Sequence, residues 1–296
     1  MTVSIPADPH AAWLVRHELV PESALESYRS YALPDLIDLS YPGARGGDRD
    51  LLVDILGWFT IMDDHFDGPL GRDVTGARGL VGRFRRVLTV PDVPPAVTGS
   101  PQDGVVRAWH DLWQRQRRPM TGAWCRHAVG EWATCLETFV AETSHRALDT
   151  LPSLREATRL RRHASCLYPF MNMLELVQGS EIPARLRAEP DLRRLRANTA
   201  DAATLVNDLF SLEWEERAQN PFNMVVILRQ THGLSRTESI AAVRAHIRRL
   251  MADSENLRER LAPRYPEARW YLAGTRQLVI GVHAWAGNTR RYADSV

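Results

Sequence analysis

Apolar residues recur at helical spacing along most of the chain. The segment "DRDLLVDILGWFTIMDDHF" carries them on nearly every face, which predicts a core helix, and "GPLGRD" ends it with Gly and Pro. Four prolines in "TVPDVPPAVTGSPQD" predict a loop. "VVRAWHDLWQRQRR" gathers Val105, Trp109, Leu112 and Trp113 on one face before Pro119 closes it. The pattern continues in "TGAWCRHAVGEWATCLETFVAETSHRAL" through Trp124, Trp132 and Phe139. Ser153 and Glu156 form a capping-box pattern ahead of a helix through "ATRLRRHASCLYPFMNMLELVQG". Pro169 lies inside that helix and predicts a kink or unwinding at Ser165 to Pro169. "NTADAATLVNDLFSLEWEERAQ" is a further helix, stopped by Asn220-Pro221. Ser235 and Glu238 repeat the capping signal before "IAAVRAHIRRLMADSENLRERL", and a last helix covers roughly residues 267–292. No alternating strand pair, repeat or low-complexity linker interrupts the series. The economical reading is a single all-α domain over residues 1–296, a helical bundle.

Composition changes this picture little. Formal net charge is +1, which gives no bulk attraction to nucleic acid or an acidic membrane. The run "RQRR" then reads as a solvated helix face. All 37 cationic residues are Arg, so Schiff-base chemistry has no lysine to use and phosphate binding falls to guanidinium groups. Cys125, Cys135 and Cys166 lack metal-ligand spacing and read as reduced core thiols of a cytoplasmic protein. The N-terminal "MTVSIPADPHAAW" has no secretory pattern, and no apolar run reaches the roughly 18–20 residues of a membrane span.

Two polar stretches carry the chemistry. In "IMDDHFDGP", Asp63, Asp64 and Asp67 crowd the C-terminal end of a segment that looks buried. Asp63 and Asp67 share a helix face, and anionic side chains there oppose the macrodipole by roughly 0.3–1 kcal/mol each. Such a cluster calls for cations or solvent, and an exposed acidic turn satisfies that as well as a binding site does. In "NDLFSLEWE", Asn207, Ser211 and Glu215 follow one another at intervals of four and line up on one helix face. An amide oxygen, a hydroxyl and a carboxylate are hard donors suited to Mg²⁺, although a solvated face reads the same way. Mg²⁺ is usually held by one or two carboxylates, waters and substrate phosphates. Two such helices facing across a cleft would therefore hold metal around a phosphorylated ligand, with Arg on the phosphate oxygens.

Together the two stretches resemble the class I terpene synthases. "DDHFD" looks like their DDxxD motif, "NDLFSLEWE" like their ND-x-x-S-x-x-x-E motif, and "RRY" near the C-terminus like their terminal Arg-Tyr pair. The order and chain length match the bacterial members, and the resemblance runs from about Ile5 to Tyr292. It implies a helical bundle around a central active-site cavity. It also implies Mg²⁺ as cofactor, three ions bound together with the diphosphate. The metal ligands would be Asp63, with Asp64 and Asp67 beside it, and Asn207, Ser211 and Glu215. Arg291 and Tyr292 would bind diphosphate. A diphosphate-sensing Arg is expected ahead of the second motif; Arg161 fits at 207−161=46 residues upstream, and the adjacent Arg162 stays open. The inferred kink would be the family's broken helix, with Ala164 and Ser165 at its linker and effector positions. Trp214 departs from the family pattern, in which many relatives carry Lys.

The implied reaction is Mg-dependent ionisation of a linear prenyl diphosphate, farnesyl diphosphate before geranylgeranyl and geranyl diphosphate. Cyclisation to a hydrocarbon or alcohol follows. Trp58, Phe59, Phe66, Tyr168, Phe170, Trp285 and Tyr292 are the aromatic candidates for facing the cation, with Phe66 and Trp285 favoured because they flank motif residues. His65 and His283 read as packing or surface residues. A chain elongase would show a second DDxxD, and a proton-initiated cyclase a DxDD; neither is present. The two alternatives are a prenyl-chain elongating transferase and a catalytically silent helical binding protein of the same fold, the latter supported by Trp214. The expected partner is a prenyl diphosphate, with neither nucleic acid nor stable membrane insertion, and the resemblance admits a homodimer.

Overall fold

The computed structural model describes residues 8–292. Residues 1–7 and 293–296 lie outside that part, and with them the start of the resemblance at Ile5 and most of the stretch examined for a secretory pattern. Among the described residues fourteen α-helices follow one another: α1 (Pro9–Arg16), α2 (Leu25–Arg29), α3 (Leu33–Ser40), α4 (Gly46–Asp67), α5 (Val74–Thr89), α6 (Asp103–Arg117), α7 (Gly122–Ala147), α8 (Leu154–Ala164), α9 (Leu167–Gln178), α10 (Ala184–Arg187), α11 (Pro190–Arg217), α12 (Met224–His232), α13 (Arg236–Leu261) and α14 (Arg269–Ala286). There is no strand among the described residues, as the periodicity requires, and none of the described helices is long and apolar enough to cross a membrane.

Local capping signals set several helix starts. Ser235 and Glu238 complete a reciprocal capping box at α13. At α8, Ser153 accepts the Glu156 amide at 3.3 Å without the return bond. Stacked tryptophans fix the packing of α4, α6 and α7. Trp58 of α4 lies 4.4 Å from Trp109 of α6, which meets Trp132 of α7 edge-on at 4.7 Å. Their indole N–H groups reach Val105 O, Phe84 O and Gln116 Oε1, so the rings are buried without orphaned donors.

Two helices differ from their expected course. The segment around Pro169 is two helices, and Cys166 breaks it by adopting a left-handed conformation at φ 60°. Pro169 is the third residue of α9, where a missing N–H costs no helical bond, so it begins the second helix rather than kinking one. The last helix stops at Ala286 instead of running to residue 292. Trp285 Nε1 and Thr289 Oγ1 both donate to Tyr31 O at 2.9 Å, which turns the chain. Arg290, Arg291 and Tyr292 thereby leave the helix axis. Helices α3 and α14 meet closely at Gly281, where a Cβ would come within 2.2 Å of Ser40 Oγ.

Candidate active site

Helices α3, α4, α7, α8, α9, α11 and α14 line a cavity of about 1060 Å³, counting its open mouth. Leu33, Leu36, Ile37, Leu56, Phe59 and Phe170 are among its apolar walls. Asp63, Asn207, Arg161, Arg291, Tyr292 and Trp285, all singled out in the sequence, line the same space. The acid-rich end of α4 is therefore the rim of a cleft whose remaining walls are mostly apolar.

The second stretch is built into the middle of α11. Ser211 and Glu215 are buried one and two turns beyond Asn207. Ser211 donates to the Asn207 carbonyl at 2.9 Å. Asn207 directs its amide nitrogen to the Tyr292 hydroxyl at 2.6 Å, which leaves Oδ1 for a cation. Asn223, fully buried at the start of α12, gives its amide to Glu215 at 2.7 Å and to the Asp208 carbonyl at 2.7 Å. Spacing along the chain carried no signal for Asn223, because its role comes from α12 folding back onto α11.

The first stretch is held from outside by guanidinium groups. Arg291 donates to Asp64 at 2.7 Å, lies 3.8 Å from Asp63, and rests on the Tyr31 ring. Arg146 of α7 donates to the Phe66 carbonyl at 3.2 Å and lies 3.6 Å from Asp67 and 3.4 Å from Glu142. These two arginines supply the positive charge that the helix end demanded. Arg291 and Tyr292, one residue apart, so tie the first stretch to the second.

Of the two candidate sensors, Arg161 faces the cavity and ion-pairs with buried Asp208. Burial opposes its charge, but Asp208, Glu215 and Glu142 more than compensate and hold it cationic. Arg162 points away, bidentate to Asp201 at 2.7 Å. Ala164 and Ser165 line the cavity at the helix break.

Phe66 does not face this cavity. It is 1% exposed and packs on Phe139 at 4.8 Å, because α7 crosses over the last turn of α4. Trp58 is in the tryptophan stack, and Tyr168 lies under Arg196 and beside His163. Phe59, Phe170, Trp285 and Tyr292 do reach the cavity, joined by Tyr41. Trp214 lines a separate outer cavity with Asp67 and Arg146. Glu142 is a cavity residue the sequence reading missed. It is buried, and its Oε1 has no hydrogen-bond partner among the described residues.

The carboxylates resist their charge in the absence of added cations. Enclosure in the cleft, and then Asp67, push Asp63 up to about 7, although 42% of its side chain still meets solvent. Burial pushes Glu215 up to about 7 against the pull of Arg161, and raises Glu142 as well. Among the described residues, no three His, Cys, Asp or Glu side chains converge to hold a metal alone. Asn and Ser oxygens and ligand oxygens would have to complete the donor set. A raised carboxylate, a free amide oxygen and an unpartnered glutamate oxygen fit hard divalent cations arriving with an anionic ligand.

A family model described as terpene synthase family 2, C-terminal metal binding, matches residues 54–253, which include both polar stretches. The chain belongs to the bacterial terpene synthase family 2. It is a class I terpene synthase, a lyase acting on a prenyl diphosphate, and the family's metal-binding region implies a divalent metal. The synthase is 31% identical to pristinol synthase of Streptomyces pristinaespiralis over 97% of this chain and 82% of that one. It is 28% identical to the farnesyl diphosphate-cyclising (-)-beta-caryophyllene synthase of Saccharothrix espanaensis, over 84% and 70%. Its fold superposes on linalool/nerolidol synthase from Streptomyces clavuligerus in complex with 2-fluorogeranyl diphosphate. The TM-score is 0.85 and the identity 27%, over 94% of this chain and 96% of that one.

Proposed function

We propose that the synthase ionises farnesyl diphosphate with Mg²⁺ and cyclises the resulting allylic cation. The observation that supports this best is the meeting of Asp63, Asn207, Arg161, Arg291 and Tyr292 at the mouth of one apolar cavity. Asp63, with Asp64 and Asp67 beside it, and Asn207, Ser211 and Glu215 would hold the metal, three ions by the family resemblance. When bound, the metal neutralises the leaving diphosphate and lowers the barrier to C–O cleavage. Arg161 and Arg291 bind and orient the diphosphate oxygens, and Tyr292 holds Asn207 in register. Leu33, Leu36, Ile37 and Leu56 exclude bulk water from the cation and fold the chain. The faces of Phe59, Phe170 and Trp285 stabilise positive charge by roughly 0.5–2 kcal/mol each.

Farnesyl diphosphate ranks ahead of geranylgeranyl and geranyl diphosphate because a relative is named for cyclising it. The test is incubation with each of the three diphosphates, with and without Mg²⁺, followed by gas chromatography–mass spectrometry of a pentane extract. A Mg-dependent cyclic product from the fifteen-carbon substrate is expected. Longer prenyl diphosphates appearing only with added isopentenyl diphosphate would replace this reading with chain elongation. Relatives are named for both hydrocarbon and alcohol products, so the way the cation is quenched depends on this chain's own cavity.

A further inference from the structure

Besides the Trp285 indole, the cavity contains seven neutral polar side chains, and five of them are already occupied. Tyr41 donates to the Phe170 carbonyl at 2.6 Å, Thr204 to the Ala200 carbonyl at 2.8 Å, and Ser165 to the Arg162 carbonyl at 3.1 Å. The Asn207 amide is engaged with Tyr292. Thr60 of α4 and Ser40 of α3 differ. They are 6% and 4% exposed, line the cavity, and have no side-chain hydrogen-bond partner among the described residues. A hydroxyl at a cavity surface with no protein partner is open to an ordered water or a polar ligand atom.

A folded isoprenoid chain offers these hydroxyls nothing, because its carbons neither donate nor accept hydrogen bonds. Thr60 lies one turn before Asp63, on the inner side of the acidic rim. Ser40 is fixed by the close crossing of α3 on Gly281. Both are therefore rigidly mounted on helices in the chamber that would enclose the cation. Two hydroxyls lining one largely apolar cavity supply polar partners that a retained water requires.

We propose that Thr60 and Ser40 retain water inside the cavity and that the synthase quenches a cyclised cation as a terpene alcohol. This rests on the prenyl diphosphate reading above. In the quenching step a lone pair on the water oxygen forms a C–O bond to the cationic carbon, giving a protonated alcohol. That oxonium passes one proton to the released diphosphate, leaving a neutral alcohol and protonated diphosphate. No oxidant or reductant takes part. The hydroxyls position the water and are not consumed.

The experiment runs the full-length synthase with farnesyl, geranyl and geranylgeranyl diphosphate in heavy-oxygen water with Mg²⁺. Diphosphate release and the alcohol-to-hydrocarbon ratio are read together. The wild-type product is expected to be an alcohol carrying the heavy isotope. Thr60→Val, which keeps the side-chain shape, and Ser40→Ala should each lower the ratio about tenfold, the order of effect of one lost hydrogen bond. Thr60→Ser, which keeps the hydroxyl, should preserve it; a role confined to packing would not separate Ser from Val in this way. Wild-type protein that releases diphosphate but yields only hydrocarbons overturns the proposal, without need of any variant. So does a ratio unmoved in the Thr60→Val/Ser40→Ala double variant. No diphosphate release from any of the three substrates removes the underlying reading, and this inference with it.

Discussion

The acidic end of α4 and the polar ladder of α11 face the same cavity but are built in opposite ways. Asp63, Asp64 and Asp67 stand at a helix terminus, partly open to solvent, and take their counter-charges from Arg291 and Arg146 on distant segments. Asn207, Ser211 and Glu215 stand in the interior of a 28-residue helix, with Tyr292 and Asn223 each fixing one donor. The first arrangement can exchange Arg partners for metal when ligand arrives; the second is preorganised. A rim that rearranges against a ladder that does not would let diphosphate binding assemble the site.

The largest effect should come from the donors that line the cavity. Asp63→Ala and Asn207→Ala are each expected to lower turnover by about 10²–10³ or more, the range seen when one electrostatic stabiliser is removed. Steady-state diphosphate release measures this, and near-wild-type rates in either variant would remove that residue from the metal set. Next comes the support behind the ladder. Asn223→Ala leaves Glu215 without its amide donor, and should raise the Mg²⁺ requirement about 10–100-fold while costing roughly 1–3 kcal/mol of stability. A magnesium titration together with thermal unfolding separates the two effects. An unchanged titration would mean that Glu215 needs no orientation.

Proton competition acts on both regions and is smaller. Asp63 and Glu215 are raised to about 7, well above their unfolded values near 4. Between those limits the folded, metal-free protein binds more protons than the unfolded chain. Its stability contribution from these groups therefore falls as pH rises from about 4 to 7. Mg²⁺ must displace the same protons, so its apparent affinity should climb from pH 6 to pH 8, chiefly below pH 7.5. Unfolding scans in chelator, and metal titrations across that range, test both signs. A metal affinity indifferent to pH would show that neither carboxylate is protonated in the resting cleft.

The smallest effects sharpen the contrast within the rim. Asp67 turns toward Arg146, and Asp67→Asn should reduce turnover less than tenfold while Asp63→Asn reduces it far more. Phe66→Leu should cost under about 1.5 kcal/mol and leave the product profile intact, because the ring packs on Phe139. Trp285→Leu, in the cavity wall, should change the product mixture. The reverse pattern in these last two variants would mean that α7 moves away from α4 during the reaction.

The all-α class, helices α4, α6, α7, α11 and α13, and the ladder of α11 were legible in the sequence, because helical period and capping act within a few residues. So was the resemblance carried by the two polar stretches. The choice of Arg161 over Arg162 was not, since adjacent helix residues differ by about 100° and only the packing of α8 on α11 tells which one faces the cavity. Phe66 looked as suitable as Trp285 until α7 covered it. Glu142, Asn223 and Arg146 gave no local signal: Arg146 reaches Asp67 from another helix, Asn223 meets Glu215 only because α12 folds back onto α11, and Glu142 enters the cavity only through the packing of α7. The turn after Ala286 was likewise invisible: it depends on Trp285 and Thr289 reaching the carbonyl of Tyr31. Short-range spacing thus determined which donors exist and on which helix face they stand. Which of them meet, and which hydroxyls are left without partners inside an apolar chamber, was decided by long-range packing that no local pattern encodes.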